Sequence, residues 1–131
     1  TATTRIYTLS LHDALPIYTR SEKTNPWTER YIFPGGQVPA AAHIAAATDG
    51  LFVLEDWHNF GVDYSRTLDA WYENFDRNWE PVLAAHYDQR FYRMWKYFPL
   101  TSSGGFRARR DNLWQVVFSK KGVVGGYEAP R

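Results

Sequence analysis

Apolar and polar positions follow three different rhythms along this chain, and each rhythm predicts an element. In "PAAAHIAAATDG", Pro39 suits a first helical turn, the alanines extend it and Asp49-Gly50 supplies a stop, so a short helix is predicted. "LFVLEDW", Leu51 to Trp57, is brief and densely apolar, which predicts a buried strand. From about Asp63 the period lengthens. Leu68, Trp71, Tyr72, Phe75 and Trp79 recur at three- and four-residue steps, the mark of a helix with one apolar, mostly aromatic face. Asp63 or Ser65 can cap its start. Pro81 breaks the pattern, and Tyr87, Phe91, Met94, Trp95 and Phe98 resume it with Arg90, Arg93 and Lys96 between. Pro99 is expected to kink or end that second helix, and Gly104-Gly105 to loosen the chain after it. "NLWQVVFSKK" reads as a last strand and "GVVGGYEAPR" as a flexible tail. The order helix, strand, helices, strand predicts an α/β piece with too few strands for a closed sheet.

Upstream of these elements the pattern changes character. "YTRSEKTNPWTERYIFPGG" is polar, then aromatic, and Pro34-Gly35-Gly36 is a strong turn signal. The first seventeen residues, "TATTRIYTLSLHDALPI", resemble one reading frame of a common short-read sequencing adapter from Tyr7 to Ile17, and upstream of that except at Arg5, where glutamate is expected. They are therefore expected to be foreign to the protein and to lack defined packing, with the native part, residues 18–131, belonging to something longer.

Composition narrows the class. Of 131 residues 44% are hydrophobic and 22% charged, with a formal net charge of +1, which fits one soluble domain. Six Trp, nine Tyr and eight Phe can bury much apolar surface per residue. A near-neutral balance argues against nucleic acid as the main partner, since gripping phosphates needs a basic footprint. With no cysteine there is neither a disulfide nor a thiolate metal site. A reducing, cytoplasmic setting is expected.

The densest chemistry is in "LFVLEDWHNFGVDYSRTLDAW", where two carboxylates, an imidazole and a phenol follow the apolar run. Glu55, Asp56 and His58 are possible metal ligands, but neighbouring strand positions face opposite ways, so a metal site is not expected. No G-x-S-x-G elbow supports a serine triad, and "FPGG" lacks the spacing of a phosphate loop. The basic residues of "FRARRD", with Lys120 and Lys121, read as a solvated surface or as attraction for anionic lipid head groups.

In order, "YIFPGG" with Pro39, "EDWHNFGVDY", "TLDAWYENF", "RFYRMWKYF" and "FRARRDNLWQVVFSK" resemble the C-terminal part of the cyclopropane-fatty-acyl-phospholipid synthases, from about Thr24 to Lys121. The mycolic acid cyclopropane synthases share a weaker version of the pattern. The resemblance implies the class I S-adenosylmethionine-dependent methyltransferase fold, which is Rossmann-like, represented here by its last two strands and an inserted aromatic helical segment. Leu51–Asp56 would be the sixth strand and Leu113–Ser119 the seventh. It also implies transfer of a methylene from S-adenosylmethionine to the cis double bond of a phospholipid acyl chain, at the inner face of the membrane. The alkene attacks the sulfonium methyl, and a base then removes a proton so that the ring closes. In the family that base is bicarbonate, held in part by a tyrosine hydroxyl.

By the same resemblance the bicarbonate tyrosine is Tyr64, Phe33 and Phe98 line the substrate, and Glu55 has a supporting catalytic role. Phe98 stands where many members have tyrosine, and Pro99 where they have leucine. Tyr64 is expected to share an apolar hollow with Phe33, while Asp56, Trp57 and His58 are expected to be structural. Aromatic faces steady a cation by ~2 kcal/mol when desolvated, and an apolar wall keeps water from it. The cofactor's glycine-rich turn and the other bicarbonate ligands are not found in this chain. It is therefore expected neither to bind S-adenosylmethionine nor to turn over lipid by itself, and to expose apolar surface that favours self-association. Two readings stay open beside cyclopropane formation: chain methylation without ring closure, and a non-catalytic lipid-contacting module.

Overall fold

The computed structural model describes residues 6–10, 17–18, 25–36 and 38–131. The chain divides into two compact units, Thr1–Phe60 with Asn112–Arg131, and Gly61–Asp111. The short strand β2 (Ile17–Tyr18) precedes the helical part of the first unit, and β4 (Asp111–Asn112) spans the boundary.

In the first unit, helix α1 (Pro26–Tyr31) starts where the Asn25 side chain accepts the Trp27 N–H at 2.9 Å and proline takes the first position. The sequence reading missed this helix, although Asn-Pro ahead of a polar-aromatic run is a start signal. It ends at a tight turn in which the Gly36 N–H reaches the Phe33 carbonyl at 3.0 Å. Pro34 and Gly35, with φ +72° at the glycine, suit a type II turn. Helix α2 (Ala41–Thr48) matches the expected one. The Thr48 hydroxyl satisfies the Ile44 carbonyl at 2.8 Å, and Gly50 at φ +66° turns the chain away.

Strand β3 (Val53–Asn59) and strand β5 (Trp114–Ser119), which lie at the two strands expected from the resemblance, pair antiparallel with each other. Strand β1 (Ile6–Ser10) pairs antiparallel along the other edge of β5, giving the order β1-β5-β3. This corrects the expectation that residues 1–17 make no defined packing. "IYTLS" has the β-branched and aromatic content of a strand, and it supplies partners for backbone groups that β5 would otherwise leave open on that side. The rest of that expectation, on Thr1–Arg5 and residues 11–16, lies outside the described residues.

The core of this unit is built on the central strand. Trp114, Val116 and Phe118 cluster with Val38 and Ile44, and Ala41 and Trp57 pack on them. Trp57 meets Trp114 edge-on at 4.9 Å. By contrast Leu51, Phe52, Val53 and Leu54 are exposed, so the predicted buried strand is an edge strand whose first half faces solvent. The C-terminal segment is not a free tail either. The Gly122 N–H bonds Ser119 Oγ at 2.9 Å, the Gly126 N–H bonds the Val123 carbonyl at 2.9 Å, and Arg131 pairs with Asp56.

The second unit is a pair of nineteen-residue helices, α3 (Gly61–Trp79) and α4 (Gln89–Arg107), with a 3-10 turn at Leu83–Ala85 between them. Leu68, Phe75 and Trp79 of α3 are buried as expected, whereas Trp71 is 46% exposed. The Phe75 ring centre lies 5.6 Å from that of Tyr92 and 6.1 Å from that of Trp95. On α4 the predicted aromatic stripe is only a half-buried flank. The buried positions are Pro99, Ser103, Gly105 and Phe106, mostly small residues that let the helices approach.

A polar clasp accompanies the rings. Ser103 Oγ donates to Asp69 Oδ1 at 2.6 Å, and Arg107 holds Asp69 Oδ2 at 2.7 Å. Outside it, the Tyr92 hydroxyl donates to Asp76 Oδ1, a bond that with burial and the carboxylate charge pushes its pKa up to about 12.

Pro99 neither ends nor divides α4, contrary to expectation; the helix runs through it. Proline has no N–H for the Trp95 carbonyl, a loss costing ~3 kcal/mol in a helix interior, and burial of its ring works against that cost. Nor does Gly104-Gly105 loosen the chain. Termination comes later, where the Arg110 N–H reaches the Gly105 carbonyl and the Arg109 N–H the Phe106 carbonyl, both at 3.1 Å. That crossed pair is a Schellman motif, and it sets Arg109 at φ 60°. Glycine relieves the left-handed strain there, so Arg109→Gly is expected to raise stability by up to ~1 kcal/mol in urea denaturation.

Asp111, 1% exposed, is the buried acid of this unit. Burial raises its pKa, and the neighbouring Arg110 only partly opposes that. The folded state therefore favours the protonated carboxyl over the unfolded state. Its contribution to stability is complete below the unfolded pKa of ~3.9 and is lost as pH rises through the folded value. Asp111→Asn should flatten this slope and leave the chain at least as stable at neutral pH, as read by denaturation across pH.

Candidate active site

Four residues carry the chemistry expected from the sequence: Phe33 and Glu55 in the first unit, Tyr64 and Phe98 in the second. Phe33 opens the Pro34-Gly35 turn, its N–H held by the Thr28 carbonyl at 2.9 Å, so its half-buried ring is presented from a fixed backbone.

Glu55 owes its setting to an irregularity. Leu54 pairs with Phe118 and Asp56 with Val117, leaving Glu55 as the extra residue of a β-bulge. A bulge re-aims side chains, so the simple alternation expected of Glu55 and Asp56 is interrupted. Glu55 Oε1 accepts from Ser119 Oγ and from the Val123 N–H at 2.9 Å. Ser119, fully buried, also accepts the Gly122 N–H. The carboxylate thus ties the end of β5 and the following turn to β3. Hydrophobic periodicity gave no hint of Ser119 as its partner.

Tyr64 lies on the first turn of α3, half-buried. The Phe106 ring meets it edge-on at 5.1 Å and the Trp71 ring at 6.2 Å. Phe106, 1% exposed, was not singled out from the sequence. The available signal was its place next to the end of α4, directly after two glycines. These two ring contacts restrict where the phenol ring can swing, and so where its hydroxyl oxygen stands. Phe98 sits on the aromatic flank of α4, 5.9 Å from Trp95 and directly before the buried Pro99. His58 packs its ring 5.4 Å from Phe60, and Asp56 is engaged by Arg131, so both carry local contacts. Among the described residues no group of three or more His, Cys, Asp or Glu side chains could hold a metal ion.

Two antiparallel strand pairings, one of them bulged, a glutamate brace and a helix pair rich in aromatic rings characterise the chain. The profile of the mycolic acid cyclopropane synthetase family matches residues 7–116. The chain belongs to that family. It is 49% identical over 115 residues to the cyclopropane-fatty-acyl-phospholipid synthase of Escherichia coli (strain K12), covering 85% of this chain and 30% of that protein. The cyclopropane synthase MmaA2 from Mycobacterium tuberculosis superposes with a TM-score of 0.64 at 25% identity, over 72% of this chain and 33% of that one. The mycolic acid cyclopropane synthase CmaA1, solved with SAH and CTAB, gives the same TM-score at 22% identity and the same coverage, and so speaks for the fold. The chain therefore spans under a third of the curated E. coli relative, and its α/β arrangement is that of the cyclopropane synthases.

Proposed function

We propose that residues 18–131 are the C-terminal part of an S-adenosylmethionine-dependent methyltransferase that adds a methylene across the cis double bond of phospholipid acyl chains. The observation that carries this reading is the 49% identity over 115 residues to a synthase named for that chemistry. The site would be cytoplasmic and at a membrane surface, where such acyl chains are reached. Among the described residues no helix is long and apolar enough to cross a membrane.

Within that reading each residue has a physical task. The Tyr64 phenol is a neutral donor on a short, ring-braced lever, suited to holding an anion such as bicarbonate, which when bound supplies the base. Phe33 in the first unit and Phe98 in the second each carry a ring of the kind that steadies a developing carbocation and excludes water. Glu55 keeps the β5 end in register, a positioning task given its two bonds to Ser119 and Val123. S-adenosylmethionine does not fit the described residues. Cofactors in this fold sit at the carboxyl ends of parallel strands, and the pairings of β1, β5 and β3 are all antiparallel. Titration of the 131-residue chain with S-adenosylmethionine should accordingly show no stoichiometric binding.

The decisive experiment replaces the matching segment of the E. coli synthase with residues 18–131 of this chain. The chimaera is then assayed for methyl transfer into unsaturated phospholipid, with the product's ring or branch resolved by mass spectrometry. Cyclopropane product supports the proposal; a branched product without a ring would favour plain C-methylation, and no transfer by a folded chimaera would overturn both.

A further inference from the structure

The two helices of the second unit divide their charges unevenly. Helix α4 contains Arg90, Arg93, Lys96 and Arg107 and no acidic residue. Helix α3 carries the acids, and most are engaged at home: Asp63 with Arg66 at 3.0 Å, Asp69 with Ser103 and Arg107, and Asp76 with the Tyr92 hydroxyl. Of the α4 cations, Arg107 is committed to Asp69, and Lys96 lies over the rings of Tyr72 and Tyr92 at 5.6 and 5.9 Å. Arg90 and Arg93 are exposed.

Their spacing matters as much as their sign. Arg90, Arg93, Tyr97 and Leu100 fall at steps of three, four and three residues, which aligns them along one line of the helix. Tyr97 is 49% and Leu100 37% exposed. The line therefore reads cation, cation, amphipathic ring, aliphatic chain, and every position on it is exposed, whereas Pro99, Ser103 and Phe106 of the same helix are buried. Guanidinium groups reach phosphates, tyrosine favours the water–hydrocarbon boundary, and leucine gains from leaving water. A helix whose outer face combines these is suited to lie on a charged lipid surface.

We infer that the Arg90–Arg93–Tyr97–Leu100 face of α4 is a docking surface for a bilayer containing anionic phospholipid. The complementary charge identifies the occupant, and the inference rests on the proposed phospholipid substrate for the choice of lipid over other anions. Docking would bring the enzyme to its substrate and leave the aromatic flank of Phe91, Met94 and Phe98, one step around the same helix, to the acyl chain.

The test is sedimentation of the 131-residue chain with phosphatidylglycerol–phosphatidylcholine vesicles over a range of salt. Each cation near such a surface contributes ~1 kcal/mol, so Arg90→Gln with Arg93→Gln should weaken partitioning about thirtyfold. Binding should also fade as salt screens the surface. Arg90→Lys with Arg93→Lys should retain it, and Lys120→Gln with Lys121→Gln, an equal charge loss in the other unit, should matter far less. Circular dichroism checks that each variant keeps its helices. Absence of vesicle binding, equal binding to pure phosphatidylcholine, or an equal loss from the Lys120/Lys121 pair would overturn the inference. Methyl transfer by the chimaera on phospholipid in detergent micelles separates this from the enzymatic proposal. Transfer retained with vesicle binding absent sinks docking alone, whereas vesicle binding without transfer sinks the reaction alone.

Discussion

Tyr64→Phe in the chimaera with the E. coli synthase should lower turnover by two to three orders of magnitude and leave S-adenosylmethionine affinity nearly unchanged. The substitution removes one oxygen from a ring whose edge contacts to Phe106 and Trp71 remain, so packing is conserved and the loss is confined to hydrogen bonding. A directed donor in a desolvated site contributes roughly 2.7–4 kcal/mol to the transition state. Such a loss appears in kcat, because the hydroxyl acts on the proton-removal step and not on cofactor recognition. Phe106→Leu is the informative companion. It keeps the hydroxyl and loosens its orientation, so a smaller fall in kcat is expected. Tyr64→Phe at the wild-type rate would remove Tyr64 from the mechanism, and a matching loss of cofactor affinity would reassign it to folding.

How much of this was legible in the chain depends on the physics behind each feature. Helices α2, α3 and α4 and the strand at Trp114–Ser119 follow from periodicity and stop signals, which are local properties. The motifs around Phe33, Glu55, Tyr64 and Phe98 were also readable, because a run of matching segments in order is far more specific than any one of them. What escaped was long-range. Nothing within Leu51–Leu54 announces that β3 lies at a sheet edge, since an exposed apolar strand and a buried one have the same letters. The bulge at Glu55 exists only relative to β5, and its Ser119 partner is sixty-four residues away. The periodicity marks the aromatic stripe of α4 but not which positions are buried, and these are Pro99, Ser103, Gly105 and Phe106, mostly small residues that favour close helix approach. Pro99 itself shows tertiary burial overriding a local rule that holds for isolated helices.

Gly104 and Gly105 are adjacent in sequence and should respond oppositely to alanine. A Cβ on Gly105 would stand 2.0 Å from Asp111 Oδ2 and 3.0 Å from its Cγ, and this carboxyl is itself buried. The helix backbone is held by the Schellman bonds just beyond, so the acid must move, carrying the start of β4 with it. Overpacking of this kind costs typically ~1–3 kcal/mol, and displacement of a buried polar group puts Gly105→Ala at or above the top of that range. Gly104 has nothing within 4 Å of the same position. There alanine only lowers the entropy lost on helix formation, a gain of ~0.5–1 kcal/mol. Urea denaturation of both variants and of Asp111→Ala with Gly105→Ala completes the test. The double variant should cost less than the sum of its singles, because removing the carboxyl vacates the space the methyl needs. Equal gains from alanine at both glycines would mean that Asp111 does not pack against α4, and additivity in the cycle would mean that the clash is not what Gly105 avoids.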